Sequence, residues 1–349
     1  MNEKKIKIMI TSVGGGGTGM EIMKSLRQST NKYYLIGTDM SEQSFGLFKA
    51  DKGLLVPPAR DPCFIDSVIK MCKREKVWVL FPGSEIELKI ISDNRDSFKE
   101  NDIYLPINTK EVIDLCLDKK RTFDFLKSKN VSIPKTVAID TEADISDVDF
   151  YPSIIKPYLG TGGSKNVFIA QDSSELYFFC KYLLKYGNKP LVQEYVGSYE
   201  NEYTVGILSG HDGKIISTVA LKRQILSGLS NKLKAPSLNA KGMALAVSSG
   251  ISQGKIVDDK GLIEGCNEIA KKVGSRGPLN IQCRYVEGVI YPFEINPRIS
   301  GTTNMRALAG VNESDLLIRK YVLKEQLPEK IEPRTGLAIR GLEEMFQGD

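Results

Sequence analysis

The stretch that most restricts the fold opens the chain. Ile6–Val13 is a largely apolar run that passes straight into Gly14–Gly17, and a helix-forming segment begins at about Met20. An apolar run closed by glycines and followed by a helix reads as a strand buried on both faces, as in a parallel sheet covered by helices. The alternation continues with a strand at Tyr34–Thr38, a helix at Phe64–Arg74 and a third strand at Val77–Phe81. Such alternation predicts a doubly wound α/β domain over the first ~110 residues. Gly14, Gly16 and Gly19 also fit G-x-G-x-x-G, and Asp39 closes the next strand 20 residues beyond Gly19. That spacing suits a dinucleotide, with Asp39 on a ribose hydroxyl. It equally suits any doubly wound domain that needs glycine at its first tight turn.

A second informative stretch is residues 289–298, Val-Ile-Tyr-Pro-Phe-Glu-Ile-Asn-Pro-Arg. Side chains alternate along a strand, so Glu294, Asn296 and Arg298 share a face. Glu294 and Asn296 are hard oxygen ligands for Mg²⁺, and Arg298 can grip a transferring phosphoryl group. Leu279–Cys283 repeats the alternation with Asn280 and Gln282, and Ser300-Gly301-Thr302-Thr303 follows the first strand. A solvated edge strand would show similar alternation.

Upstream, Lys156 ends the strand-like Ile154–Pro157 and precedes Gly160-Thr-Gly-Gly-Ser164. Backbone N–H groups of such a loop can wrap phosphate, with Lys156 balancing charge, although a plain hairpin turn reads the same. Leu191–Val196 followed by Glu202 offers an apolar slot, a main-chain edge and an acid, the needs of an adenosine, but many strands offer as much.

Six cysteines without C-x-x-C spacing, five of them in apolar contexts, predict a reduced cytoplasmic protein. No apolar run approaches a membrane span and no leader-like segment opens the chain, so no membrane partner is expected. With 48 basic and 43 acidic residues interspersed, the +5 charge is too small to argue for nucleic acid. The one histidine, His211, falls at a hairpin tip marked by Asp212-Gly213, which disfavours histidine metal sites and Ser-His-Asp triads. Further expected elements are helices at Lys119–Lys129, Ser174–Tyr186 and 259–273, and strands at Tyr203–Leu208 and Ile215–Ala220. A terminal apolar-alternating piece, Gly336–Phe346, could add an edge strand.

These pieces have a specific order: Asp118-Lys119-Lys120 at a helix start, Ile133-Pro134-x-Thr136, strand-Lys156-Pro157 with its glycine loop, and Gln193-Glu194-Tyr195-Val196. Glu202-Tyr203-Thr204-Val205, Asn280-x-Gln282 and Glu294-x-Asn296-Pro297-Arg298 complete the series. The order resembles the ATP-grasp superfamily over about residues 115–320, and most of all its carbamoyl-phosphate-synthase-like carboxylate–amine ligases. The resemblance implies a pre-ATP-grasp Rossmann-like domain at 1–114 and a small lobe with the glycine loop at 115–195. A large lobe with the metal site would cover 196–325, and 326–349 would be a C-terminal extension.

It also implies roles. Lys119 and Lys156 would hold ATP phosphates under the loop residues Gly160, Gly162, Gly163 and Ser164. Gln193 would meet the adenine amino group, Glu194, Tyr195 and Val196 would border the base, and Glu202 would bind ribose. Gln282, Glu294 and Asn296 would ligate Mg²⁺ or Mn²⁺, with Arg298 and Lys156 catalytic. Many relatives have an acid where Gln282 stands; the carbamoyl-phosphate-type branch, like this chain, has glutamine there. Glu85, Arg223, Ser300 and Gly301 are candidates for substrate contact, with helix capping the alternative for Glu85 and an exposed basic pair, with Lys222, the alternative for Arg223.

The activity implied is ligation: ATP phosphorylates a carboxylate, and an amine displaces the phosphate. The alternatives are an enzyme that phosphorylates bicarbonate or another small acid, a nucleotide-binding scaffold without turnover, and an NAD-dependent oxidoreductase using Gly14–Gly19. Partners would be a small carboxylate and an amine, and a homodimer is a common state in the family.

Overall fold

A computed structural model describes residues 5–159, 165–226, 228–238, 242–329 and 331–346. The first sheet has four parallel strands in the spatial order Lys52–Leu55, Tyr34–Asp39, Lys7–Ile10, Val79–Phe81. The edge strand Lys52–Leu55, with the short helix Phe45–Lys49 before it, adds to the expected set; its two apolar residues are too few for a recognisable run. What reads as the third strand is therefore the fourth, and it spans only Val79–Phe81.

The glycine turn leads into the helix Thr18–Arg27. A Cβ at Gly19 would lie 2.4 Å from the Ser12 carbonyl oxygen, so glycine is needed to seat this helix against the strand end. Asp39 accepts from the Gly14 N–H at 2.9 Å and the Ser41 N–H at 3.2 Å. The acid that a dinucleotide reading assigns to ribose thus holds the loop itself.

A second, antiparallel sheet orders Thr136–Ala138, Pro190–Glu194, Ser153–Pro157 and Phe168–Ala170. The helix Ser173–Lys185 covers it, started by Asp172, whose carboxylate accepts from the Ser174 and Glu175 N–H groups. The third sheet is antiparallel and six-stranded: Val289–Asn296, Pro278–Val286, Glu202–Ser209, Ile215–Arg223, Gly254–Val257 and Gly336–Ala338.

Alternation divides the labour of this large sheet. Val205, Ile207, Ile281, Cys283 and Ile295 face the helix Lys260–Val273 and form one core. On the opposite face Leu208, Val219, Leu221 and Ile256 join a core with Met20, Met23 and Leu26 of the first domain and Leu316–Ile318 of the helix Glu313–Tyr321. The rest of that face is polar, and there the candidate site lies.

His211 is in the turn between Glu202–Ser209 and Ile215–Arg223, yet it is packed: its ring stacks on Tyr321 at 3.7 Å and its Nε2 is 3.2 Å from the Tyr104 hydroxyl. The terminal piece pairs with Gly254–Ile256 over Gly336–Ala338 alone, and Leu337, Ile339 and Leu342 are exposed. Among the described residues no helix is long and apolar enough to cross a membrane.

Candidate active site

Register sets the site. In the hairpin of Pro278–Val286 and Val289–Asn296, Gln282 opposes Glu294 and Asn280 opposes Asn296, so all four share a face. Cys283 opposes Pro292, a bulge that leaves Phe293 without a partner in the ladder. The freed Phe293 carbonyl accepts from Lys156 Nζ at 2.6 Å. Gln282 Nε2 donates to Glu294, and Gln282 Oε1 accepts from Arg223 at 3.1 Å. Asn280 is committed elsewhere: its Oδ1 accepts from Thr204 at 2.9 Å and from Arg306 at 2.6 Å. Arg306 in turn pairs with Glu313 at 3.0 Å and lies flat over Gly206, where a Cβ would fall 1.7 Å from its Nη1.

The cationic groups come from the other side of the cleft. Asp118 caps the helix Lys119–Ser128 by accepting from the Arg121 N–H, which fixes Lys119 with its Nζ 3.9 Å from Glu294. Burial pushes Lys156 down to about 7, with Lys119 adding repulsion and Glu294 and Glu202 opposing the shift. Burial alone would raise the Glu294 carboxyl; Lys119, Lys156 and Arg298 outweigh it and hold the group below its usual range.

Gln282, Glu294 and Asn296 form a hard oxygen donor set with one anionic member. The buried Asn296 Nδ2 has no hydrogen-bond partner, so the amide is free to present its oxygen instead. Among the described residues no three His, Cys, Asp or Glu side chains gather to hold a metal unaided. The set fits a cation that arrives together with phosphate oxygens.

Lys119, Lys156, Gln193, Glu194, Tyr195, Val196, Glu202, Gln282 and Glu294 all line one cleft between the small sheet and the large one. On its inner wall Gln193 Nε2 donates to Thr136 at 3.1 Å, while the buried Gln193 Oε1 has no partner. Gly160, Gly162, Gly163 and Ser164 lie outside the described residues.

Three of the candidate side chains have partners that the sequence does not show. Glu202 lines the cleft but is already paired with Arg223 at 3.0 Å and Arg284 at 3.1 Å. Arg223 is not half of an exposed basic pair: it is buried, held by Glu202, Gln282 and the Ser249 carbonyl. Glu85 is not the cap of the helix Glu85–Asp93; Ser84 is, accepting from the Glu87 N–H. Glu85 instead meets Arg298 at 3.1 Å. Behind it Glu87 accepts from Thr11, Ser12 and Ser84 hydroxyls, and burial pushes its carboxyl up. The Ser300 hydroxyl is buried against Thr302, and the Gly301 carbonyl accepts from Arg340.

Arg284 and Arg340 escape sequence reading. Arg284 lines the cleft with its guanidinium 4.6 Å from the Tyr195 ring centroid. The alternation Asn280, Gln282, Arg284 is the signal that could have found it. Arg340 has no local signal.

The family described as ATP-grasp in the biosynthetic pathway with Ter operon matches residues 188–345, and the PylC-like, N-terminal domain family matches residues 8–106. The ATP-grasp match thus covers the part of the chain that holds the large sheet and the metal-type hairpin. The chain is 24% identical over 289 residues to the carbamoyl phosphate synthase arginine-specific large chain of Geobacillus stearothermophilus, covering 80% of this chain and 25% of that one. It is 22% identical over 258 residues to the carbamoyl phosphate synthase large chain of Thermoanaerobacter sp. (strain X514), covering 71% and 22%. It therefore spans about a quarter or less of the length of these relatives.

Among solved structures, the L-amino acid ligase from Bacillus licheniformis superposes with a TM-score of 0.67 at 14% identity, covering 95% of this chain and 78% of that one. The N5-carboxyaminoimidazole ribonucleotide synthetase from Thermotoga maritima gives 0.61 at 17%, covering 93% and 78%. At these identities the likeness is one of fold.

Proposed function

We propose that this chain is a Mg²⁺-dependent ligase that activates a carboxylate with ATP and joins it to an amine. The observation that carries the reading is the set that lines one cleft, an unpaired buried acceptor at Gln193 with Lys119, Lys156, Gln282 and Glu294, and Asn296 two residues on along the same strand face as Glu294. Arg298 follows at the end that faces the first domain. In this reading residues 115–195 cover the nucleotide and residues 196–325 carry the metal ligands.

Gln193 and the main chain of Glu194–Val196 hold the base, and Glu202, fixed by two arginines, offers an acceptor to a ribose hydroxyl. Gln282, Glu294 and Asn296 hold Mg²⁺, which when bound neutralises charge on the phosphate oxygens. A carboxylate oxygen attacks the γ-phosphorus in line, the bond from that phosphorus to the bridging oxygen breaks, and ADP leaves with the electron pair. Arg298 and Lys156 stabilise the charge on the transferring group. An amine nitrogen then attacks the acyl carbon, the carbon–oxygen bond to phosphate breaks, and the nitrogen loses its proton to water. No side-chain nucleophile is needed; catalysis rests on position and charge.

Identity to carbamoyl phosphate synthase large chains favours bicarbonate as a second candidate for the activated acid. The test is ADP release from MgATP across bicarbonate, organic acids and amines, with mass detection of adducts. Glu294→Ala should slow turnover by about 10²–10³-fold with an unchanged circular dichroism spectrum. Turnover by that variant at the parental rate would overturn the metal assignment.

A further inference from the structure

We propose that a second cavity, behind the nucleotide cleft, binds a small amphipathic dianion and thereby tunes nucleotide affinity. The site stands on its own geometry; only its effect on MgATP rests on the reading above.

Two elements joined through Ile133-Pro134 build the cavity. Lys120, Phe123, Asp124 and Lys127 recur at the spacing of one face of the helix Lys119–Ser128. Opposite them, Thr136 and Ala138 share a face of the edge strand Thr136–Ala138, and Leu191 pairs with Ala138 in the ladder. The space is about 540 Å³, within the range of small-molecule sites.

Apolar and charged groups are segregated around it. Phe123, Pro134 and Leu191 are buried and make an apolar floor. Three lysines and a single carboxylate stand at the rim. Lys120 is paired with Asp124 at 2.9 Å, whereas Lys127 and Lys135 are exposed and have no carboxylate partner among the described residues. The Lys135 ammonium lies 5.9 Å from the centroid of the Phe150 ring. Other nearby acids are committed. Asp140 is taken by Lys189 at 2.7 Å, and Glu194 accepts from the Lys135 N–H rather than from its ammonium. Two uncompensated cations above an apolar floor fit an apolar body with a doubly charged head, a phosphate monoester or a malonate-type dicarboxylate.

Two residues of the nucleotide cleft rest on the walls of this cavity. Phe123 is the ring beneath Lys156, whose Nζ lies 5.7 Å from its centroid. Thr136 accepts from the Gln193 Nε2 at 3.1 Å, and Pro134 borders both spaces. An occupant braces Phe123 and Thr136 from behind, in the positions that support Lys156 and Gln193, and so strengthens MgATP. Linkage then requires MgATP to strengthen the occupant by the same factor.

Calorimetry on the full chain tests both parts, with the nucleotide cleft first empty and then saturated with Mg²⁺ and a non-hydrolysable ATP analogue. Phenyl phosphate and benzylmalonate carry the body and the double charge. Phenylacetate has a single charge, inorganic phosphate no body and benzyl alcohol no charge. Saturable binding of at least one dianion at millimolar concentration or below is expected, about tenfold tighter than each control. The preferred dianion tells a phosphate monoester from a dicarboxylate. Its affinity should rise about fivefold with the analogue bound. Lys127→Glu and Lys135→Gln, both at exposed positions, should each weaken it about fivefold with an unchanged circular dichroism spectrum.

Failure of both dianions to bind overturns the proposal, as does a control that binds equally well. So does competition with the analogue, indifference to it, or unchanged affinity in both lysine variants. If a dianion binds and the analogue does not, the cavity remains a site, while the ligase reading and the coupling fall together.

Discussion

Gln193 has a satisfied nitrogen and an unsatisfied oxygen, both in a buried side chain. A buried acceptor left alone costs about 1–3 kcal/mol, so the free protein carries a penalty that a ligand N–H removes. The exocyclic amine of adenine supplies that N–H, whereas the carbonyl of hypoxanthine does not. Gln193→Leu is therefore expected to weaken MgATP about tenfold, equivalent to about 1.4 kcal/mol, and to bring the ATP and ITP dissociation constants close together. Calorimetry with both nucleotides decides it; an undiminished preference for ATP would remove Gln193 from the base site. At this scale the sequence is legible where chemistry follows the two-residue repeat of a strand, as for Gln282, Glu294 and Asn296. It is silent where partners are distant. Asn280 carries the same pattern but is held by Arg306, and Arg340 meets a carboxylate 319 positions away.

Elements were readable in proportion to their length. The helix Lys260–Val273, with Asp259 accepting from the Leu262 N–H, and the hairpin around Asp212-Gly213 carry their own start and turn signals. The three-residue strand Gly336–Ala338 and the bulge at Phe293 carry none, because each depends on a neighbour that is remote or shifted by one residue. The hairpin tip holds more than its turn signal shows, since His211 is clamped by Tyr321 and Tyr104. Burial pushes the imidazole below its ordinary 6.5, Lys320 and Lys324 add to the shift, and Asp212 opposes it. With a folded-state pKa below the unfolded one, the clamp contributes fully above the unfolded value and is lost as pH falls through the folded value. The parental melting temperature should fall more steeply than that of His211→Gln between about pH 7 and about pH 5, with a constant offset above that window. Parallel curves across the whole range would show that the imidazole does not titrate in the clamp.

The first domain and the large sheet are tied together partly by the tail that leaves the large sheet. Arg340 follows the edge strand by two residues, donates to the Gly301 carbonyl and pairs with Glu21 of the first-domain helix at 3.1 Å, with Glu21 buried and Arg340 largely so. Lys49 and Glu343 make a second link between first domain and tail. Arg340 thereby holds the loop after Arg298 from outside the metal hairpin. Removing one member of a buried pair strands the other, at a cost of about 3–5 kcal/mol. Lys24, 3.4 Å from Glu21 and partly exposed, softens the loss, so Arg340→Gln should fall near the lower end, about 3 kcal/mol. Glu21→Gln should cost a similar amount, and the double variant clearly less than the sum. Urea midpoints at unchanged slope measure each corner of the cycle. Losses that add to within about 0.5 kcal/mol would mean that the two side chains stabilise the molecule independently and that the tail is anchored by its strand alone.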